Sequence, residues 1–358
     1  MTAKTLTLLL LCAATLTQAA PDASLAEPKN EYPCPEVADI SPCVCTQVDL
    51  ELNLDCSRVA DDTQLEQVFQ ADFPFNNFSM LTIIANPEDP RINIVTLGAD
   101  TFQDVTFANI HISHTNLEFI YPTAFDKSAP RLETLIVTDS FLQLFPFDLV
   151  DYAPLLTDLR VFRNNLIHMP EMSSDTLTFL EVAYNPGLQY GDHALKSLAN
   201  LEYFVANDIE LDHVGENAFF ENTKLVYVDL SYNKLETLYA GSLKFQSPIQ
   251  TIRLNNNNIH TVEVGAIEGL GSGTSTMLWM YNNFVESLDQ KVWEPVFDSV
   301  AGKVRTFVFD GNPFECSCNI LWLVSNDDHR STIARGTICE NTETDILEVD
   351  VEFLQANC

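Results

Sequence analysis

A curved α/β solenoid is the fold class this sequence predicts, and three observations predict it. One apolar template recurs ten times at steps near 24 residues. A second apolar register follows several copies at similar distance, giving one core two opposed walls. Beyond Cys12, eight cysteines fall in two groups of four that bracket the repeated stretch, and none lies within it.

The template is plainest in LVYVDLSYNKLETL, where Leu225, Val228, Leu230, Leu235 and Leu238 are apolar and Asn233 stands between the third and fourth. Shifted by 24 residues it returns as IQTIRLNNNNIHTV, with Ile249, Ile252, Leu254, Asn257, Ile259 and Val262 in the same slots. The pattern L-x-x-L-x-L-x-x-N-x-L is a leucine-rich repeat. Its copies begin at residues 78, 107, 132, 156, 177, 201, 225, 249, 275 and 304, at steps of 21 to 29. Each L-x-L core predicts a short strand, and successive strands predict a parallel sheet on the concave face of a horseshoe, with the leucines turned inward. The segments IYPTAF, VGENAF, LYAGSL and VEVGAI supply the opposite wall.

The asparagine slot lies where the chain leaves the strand. A buried amide there must find hydrogen bonds, which the backbone of adjacent units can provide. Asn86, Asn164, Asn185, Asn233, Asn257, Asn283 and Asn312 occupy it, Thr115 and Ser140 can still bond, and Ile209 cannot. A local irregularity is expected around Ile209.

The order along the chain follows. Residues 1–20 read as a signal peptide: Lys4, the run LTLLLLCAATL, too short to span a bilayer, then the small residues TQAA. Cleavage near Ala19 or Ala20 leaves 17 basic residues against 51 acidic ones, a net charge of −34. Residues 21–33 form a flexible tail, 34–77 a cysteine-rich N-terminal cap, 78–312 the repeats and 313–358 a cysteine-rich C-terminal cap. DDTQLEQVFQ, from Asp61, predicts a short helix joining cap to repeats. GLGSG, Gly269 to Gly273, reads as a convex-side loop, since no strand and helix flank it as a phosphate cradle requires. Asn77 in N-F-S is the sole glycosylation acceptor motif. No later segment is long and apolar enough to cross a membrane, and no greasy tail for a lipid anchor precedes Cys358.

A solenoid exposes its core at both ends, and short caps cannot bury enough apolar surface to order themselves, so disulfides are expected there. Cys34, Cys43, Cys45 and Cys56 serve the first cap, and Cys316, Cys318, Cys339 and Cys358 the second. Spacing alone leaves three connectivities per cap. The C-x-C pairs could suggest zinc in a cytosolic chain, a reading the secretory context sets aside.

Chemistry is sparse. The sequence lacks G-x-S-x-G, H-E-x-x-H and nucleotide-binding glycine patterns, and no free cysteine remains once the caps are paired. His111 and His114 make a pair without a third metal ligand, and ENTETDILEVDVE lacks the D-x-D-x-D-G spacing of a calcium loop. No catalytic residue, metal site or cofactor is expected. What needs explaining is a set of aromatics expected to face outward on the concave face: Phe162, Phe179, Tyr184, Tyr203, Tyr227, Tyr232, Trp279 and Tyr281. Phe179, Tyr203 and Tyr227 share one column, so strands about 4.8 Å apart stack them into a ladder. The ladder reads either as sheet stabilisation or as a partner's anchor; enrichment of Tyr and Trp at interfaces favours the anchor. Strong acidity repels nucleic acid and anionic membranes and steers basic proteins inward, or serves solubility alone.

From YPCPEVADISPCVC, through the ten units, to NPFECSCNILWL and Cys358, the chain resembles secreted arthropod leucine-rich-repeat proteins with cysteine-rich flanking caps, and more narrowly the non-catalytic leucine-rich-repeat subunits of Oplophorus-type shrimp luciferases. The cap resemblance implies pairing first with third and second with fourth: Cys34–Cys45, Cys43–Cys56, Cys316–Cys339 and Cys318–Cys358. The narrower one implies a secreted, non-catalytic accessory subunit that holds or stabilises another secreted polypeptide, a small luciferase catalytic subunit, which carries out luciferin oxidation. The competing expectation is a free-standing recognition or adhesion module; a self-sufficient enzyme is the weakest third.

Overall fold

A computed structural model of the chain describes residues 33–273 and 275–358, apart from the side chain of Ser272. The signal segment, Cys12 and all but the end of the predicted tail lie outside the described residues. β1 (Val44–Val48) and β2 (Glu51–Asp55) make an antiparallel hairpin. To it β3 (Asn77–Ile84), β4 (Thr106–Ser113), β5 (Thr134–Thr138), β6 (Asp158–Arg160), β7 (Phe179–Glu181), β8 (Tyr203–Val205), β9 (Tyr227–Asp229), β10 (Thr251–Arg253), β11 (Ser275–Trp279) and β12 (Val304–Val308) add in chain order, all parallel. The result is a 12-stranded sheet.

The sheet register is the repeat register. Leu54, Leu81, Ile110, Leu135, Leu159, Leu180, Phe204, Val228, Ile252, Leu278 and Phe307 are paired in one line across the sheet, and each is buried. The fourth template position of every unit falls on this spine. The opposite wall holds too: Phe125, Phe219, Leu243 and Ile267, from the four echo segments, are buried.

The slot asparagines form a ladder. Asn257 donates to Leu230 O and Leu254 O (each 2.9 Å) and accepts from Leu235 N at 3.1 Å; Asn185, Asn233, Asn283 and Asn312 bridge neighbouring coils likewise. Thr115 and Ser140 bond each other at 2.8 Å. Asn86 is a correction: it is exposed, because the segment 86–91 bulges outward and Ile92 takes the place beside Thr115. The irregularity at Ile209 is present. Ile209 is buried, and the following Glu210 takes a left-handed φ of 65°. The two-residue ladder strands on the flank, Gln189–Tyr190 before and Thr237–Leu238 after, have no counterpart in that coil.

The residue before the slot is left-handed in nine units: His114, Asp139, Arg163, Tyr184, Asp208, Tyr232, Asn256, Asn282 and Gly311 have φ between 49° and 68°. This turn swings the chain out of the sheet. It explains why Asp, Asn and Gly, which tolerate that region, recur there.

Both caps close as the resemblance implied: Cys34–Cys45, Cys43–Cys56, Cys316–Cys339 and Cys318–Cys358. The predicted helix is α1 (Asp62–Val68), capped by Asp61, which accepts from Gln64 N at 2.9 Å. A helix not anticipated, α2 (Gln290–Ser299), fills the 29-residue step between the last two units and buries Trp293, Val296 and Phe297. GLGSG packs between the preceding coil and this helix: a Cβ on Gly269 would sit 2.0 Å from Phe245 O, and one on Gly271 2.0 Å from Ser299 O. Close backbone approach requires both glycines. In the acidic C-terminal run, Asp345 accepts from Leu347 N and Gly336 N, and Asp350 caps α3 (Val351–Asn357) through Phe353 N.

Candidate functional site

The concave face takes its outward residues from the strand positions either side of the buried spine. On one side stand Asp158, Phe179, Tyr203, Tyr227 and Thr251, and on the other Arg160, Glu181, Val205, Asp229, Arg253 and Trp279. Phe179 and Tyr203 stack at 5.5 Å and 22°, and Tyr203 meets Tyr227 at 6.1 Å and 34°. The ladder read from the sequence is therefore formed, and Tyr203 keeps 38% of its surface in solvent.

Two arginines that the aromatic pattern alone did not single out bracket the ladder. Arg160 lies 4.1 Å over the Phe179 ring and makes a two-pronged pair with Asp158, at 2.8 and 2.7 Å. Arg253 sits 5.7 Å from the Tyr227 ring and 5.5 Å from Trp279. Such stacking holds a guanidinium flat while leaving N–H groups for a guest. Asp229, nearly buried, accepts from Tyr227 Oη (3.1 Å), Ser231 N (3.0 Å) and Ser231 Oγ (2.5 Å). Burial, and then the Asp229 charge, push the Tyr227 phenol up to about 12, against the opposing pull of Arg253. Burial raises the Glu181 carboxyl above its ordinary value, with Arg160 opposing. The signal for these residues was present as four charged residues, Arg160, Glu181, Asp229 and Arg253, at the second outward position of neighbouring coils.

Four of the eight predicted aromatics are not on strands. Phe162, Tyr184, Tyr232 and Tyr281 follow the ends of β6, β7, β9 and β11 and belong to the turn bordering the sheet. Tyr184 and Tyr232 occupy the left-handed position, with φ of 53° and 56°, and are exposed at the rim. β6, β7 and β9 are only three residues long and the five-residue β11 ends at the same register, so a template position three or four past the spine leaves the sheet. Tyr281 still reaches back to Trp279, ring to ring at 6.1 Å, and Arg163 covers Tyr184 at 5.1 Å.

The histidine pair is split: His111 is a strand residue of β4 and His114 the left-handed residue of the next turn. Among the described residues, no group of three or more His, Cys, Asp or Glu is placed to hold a metal ion, and no helix is long and apolar enough to cross a membrane. The arrangement is suited to holding a surface: a rigid sheet, aromatic rungs, and fixed guanidiniums with paired carboxylates.

Fold and site together define a leucine-rich-repeat protein of the protein-interaction kind, with disulfide-closed ends. No protein-family model matches the chain. It is 32% identical over 317 residues to the Oplophorus-luciferin 2-monooxygenase non-catalytic subunit of Oplophorus gracilirostris, a match covering 87% of this chain and 85% of that one. The chain belongs to the family of that subunit. A partial match, 30% identical over 142 residues, covers 35% of this chain and 23% of the leucine-rich repeat and fibronectin type III domain-containing protein 1 of Danio rerio. Among solved structures, a chain of the octameric complex of Latrophilin 3, Unc5D and FLRT2 superposes with a TM-score of 0.63 at 18% identity, covering 86% of this chain and 94% of that chain. The last likeness concerns fold alone.

Proposed function

We propose that the chain is a secreted, non-catalytic accessory subunit that binds and stabilises a small luciferase catalytic subunit, a luciferin monooxygenase, through its concave aromatic band. The observation carrying this reading is the stack Phe179–Tyr203–Tyr227 between Arg160 and Arg253, in a chain whose relative is named a non-catalytic luciferase subunit. Half-buried rings on a rigid sheet lose little conformational freedom on binding, and buried Tyr, Trp and Arg dominate interface energetics. Arg160 is held by its two-pronged pair with Asp158, and Arg253 by stacking between Tyr227 and Trp279 with Asp229 4.0 Å away, so both can offer N–H groups to a guest's carbonyl oxygens without a large reorganisation. A guest bound only in its native state is stabilised by mass action. Secretion accords with the four disulfides, which persist in oxidising compartments. Asn77, exposed at the head of β3, is the proposed glycan site.

Calorimetric titration of the purified chain with the small luciferase subunit secreted by the same animal tests the reading. Wild type is expected to bind, and a Tyr203→Ala, Tyr227→Ala, Trp279→Ala triple variant to lose about 100-fold or more in affinity, at roughly 1–2 kcal/mol per truncated anchor. Equal affinity for the variant removes the concave band from the mechanism. Absence of binding by wild type, together with elution of the natively secreted chain alone, favours the free-standing recognition module.

A further inference from the structure

A second surface, separate from the concave band, lies on the flank just beyond the slot turns. Parallel pairing of Thr96 with Phe119, a bridge from Phe119 to Leu144 and pairing of His168 with Gln189 place one outward residue per coil along this flank. The residues that follow, Leu97, Ile120, Phe145 and Met169, turn inward and are buried. In three successive coils this flank exposes apolar side chains, Phe119 and Leu144 at the paired position itself and Ile167 one residue before the exposed His168 that holds it in the third coil: Phe119 is 37% exposed, Tyr121 47%, Phe141 40%, Leu144 49% and Ile167 55%. Further along, the matching positions are the polar Gln189, Thr237 and Thr261, while exposed apolar side chains of the later coils, Tyr239, Val264 and Phe284, lie off that position.

The ledge is pre-formed. Phe119 and Tyr121 meet edge to face at 5.0 Å, and Arg91 lies 4.8 Å from the Phe141 ring while bonding the backbone oxygens of Thr115 and Asp139. Phe141 N donates to Leu117 O at 3.0 Å and Ile167 N to Gln143 O at 3.2 Å, which ties the coils together under the exposed side chains. Apolar patches of this kind on a soluble protein mark binding surfaces.

Charge and spacing decide the occupant. The chain carries a net charge of −33, so a second copy would be repelled. Glu118, next to Phe119, is exposed and makes no ion pair among the described residues. Three coils about 4.8 Å apart span roughly 10 Å, the length of two turns of an α-helix. We propose that this ledge docks an amphipathic helix of a partner protein, one whose apolar face at i, i+3 or i+4 and i+7 is flanked by Lys or Arg. Apolar anchors seat over Phe119, Leu144 and Ile167, while the basic flanks meet Glu118 and the net negative charge of the chain, on the side away from Arg91.

The test uses the full chain and three labelled 14-residue peptides, followed by fluorescence anisotropy: a Leu/Lys amphipathic helix, a Leu/Glu helix of the same pattern, and a Lys/Ser peptide of equal charge. The Leu/Lys peptide is expected to bind wild type at least about tenfold more tightly than either control, since only it supplies both apolar burial and positive charge. A Phe119→Ser, Leu144→Ser, Ile167→Ser variant is expected to lose that preference, and the milder Leu144→Lys to weaken it; circular dichroism melts confirm that each is folded. The concave triple variant retains Leu/Lys binding, which separates failure here from failure of the concave reading. The proposal is overturned if the ledge variants bind as wild type, if either control peptide matches Leu/Lys, or if sedimentation equilibrium shows a wild-type dimer that the ledge variant abolishes.

Discussion

Asn233→Ala offers a sharp test of how the coils are held in register. Its amide donates to Ala206 O (2.9 Å), Leu230 O (3.1 Å) and Ser231 O (3.3 Å), and its oxygen accepts from Ile209 N (3.1 Å) and Leu211 N (3.0 Å). The preceding coil contributes no slot amide of its own, because Ile209 stands there. Leu230 O survives the truncation, since Asn257 also donates to it at 2.9 Å. Ile209 N, Leu211 N and Ala206 O do not, and the two buried donors left without acceptors, at about 1.5 kcal/mol each, already make a loss of about 3 kcal/mol, to which the orphaned Ala206 carbonyl adds. Asn86→Ala is the control, a slot asparagine by sequence that the fold leaves exposed, and about 0.5 kcal/mol or less is expected of it. Urea denaturation followed by circular dichroism reads both. Equal losses for the two variants, or none for Asn233→Ala, would refute the ladder as the source of register.

Other outcomes follow from the same geometry. Replacing Cys318 and Cys358 together by Ser opens a bridge of sequence separation 40, worth about 4 kcal/mol by chain entropy, and should release α3 to limited proteolysis while β3–β9 stay protected in hydrogen exchange. Burial, and then the Arg160 charge, depress His111 below 6.5. Its folded-state pKa is thus the lower one, so the stability at stake is fully present above 6.5 and is lost as pH falls through the folded value. The slope of unfolding free energy against pH just below 6.5 should flatten in His111→Gln. Intact mass of the natively secreted chain should show a glycan that Ser79→Ala removes, because N-x-S no longer follows Asn77; an unchanged mass refutes modification there.

The apolar template determined the strand register, the spine and the opposite wall, because every coil must bury the same face against its neighbours and any slip would put leucines in water. The cysteine groups located the caps for the same kind of reason: the ends cannot seal themselves. The slot rule also foresaw the disturbance at Ile209, where no side chain can serve the turn. Outward positions were less legible. Tyr184 and Tyr232 sit in the same template rows that elsewhere hold Asp, Asn or Arg, and nothing local says that a three-residue strand ends before them. Asn86 fits the template yet is displaced by a bulge that only pairing of Ile92 with Thr115 reveals. The stacking of Arg160 on Phe179, Arg253 between Tyr227 and Trp279, and the flank ledge from Phe119 to Ile167 join residues of different coils. Inward residues answer to a period that each segment carries itself, whereas an exposed side chain is defined by what the adjacent coil places beside it, and only the stacked chain supplies that neighbour.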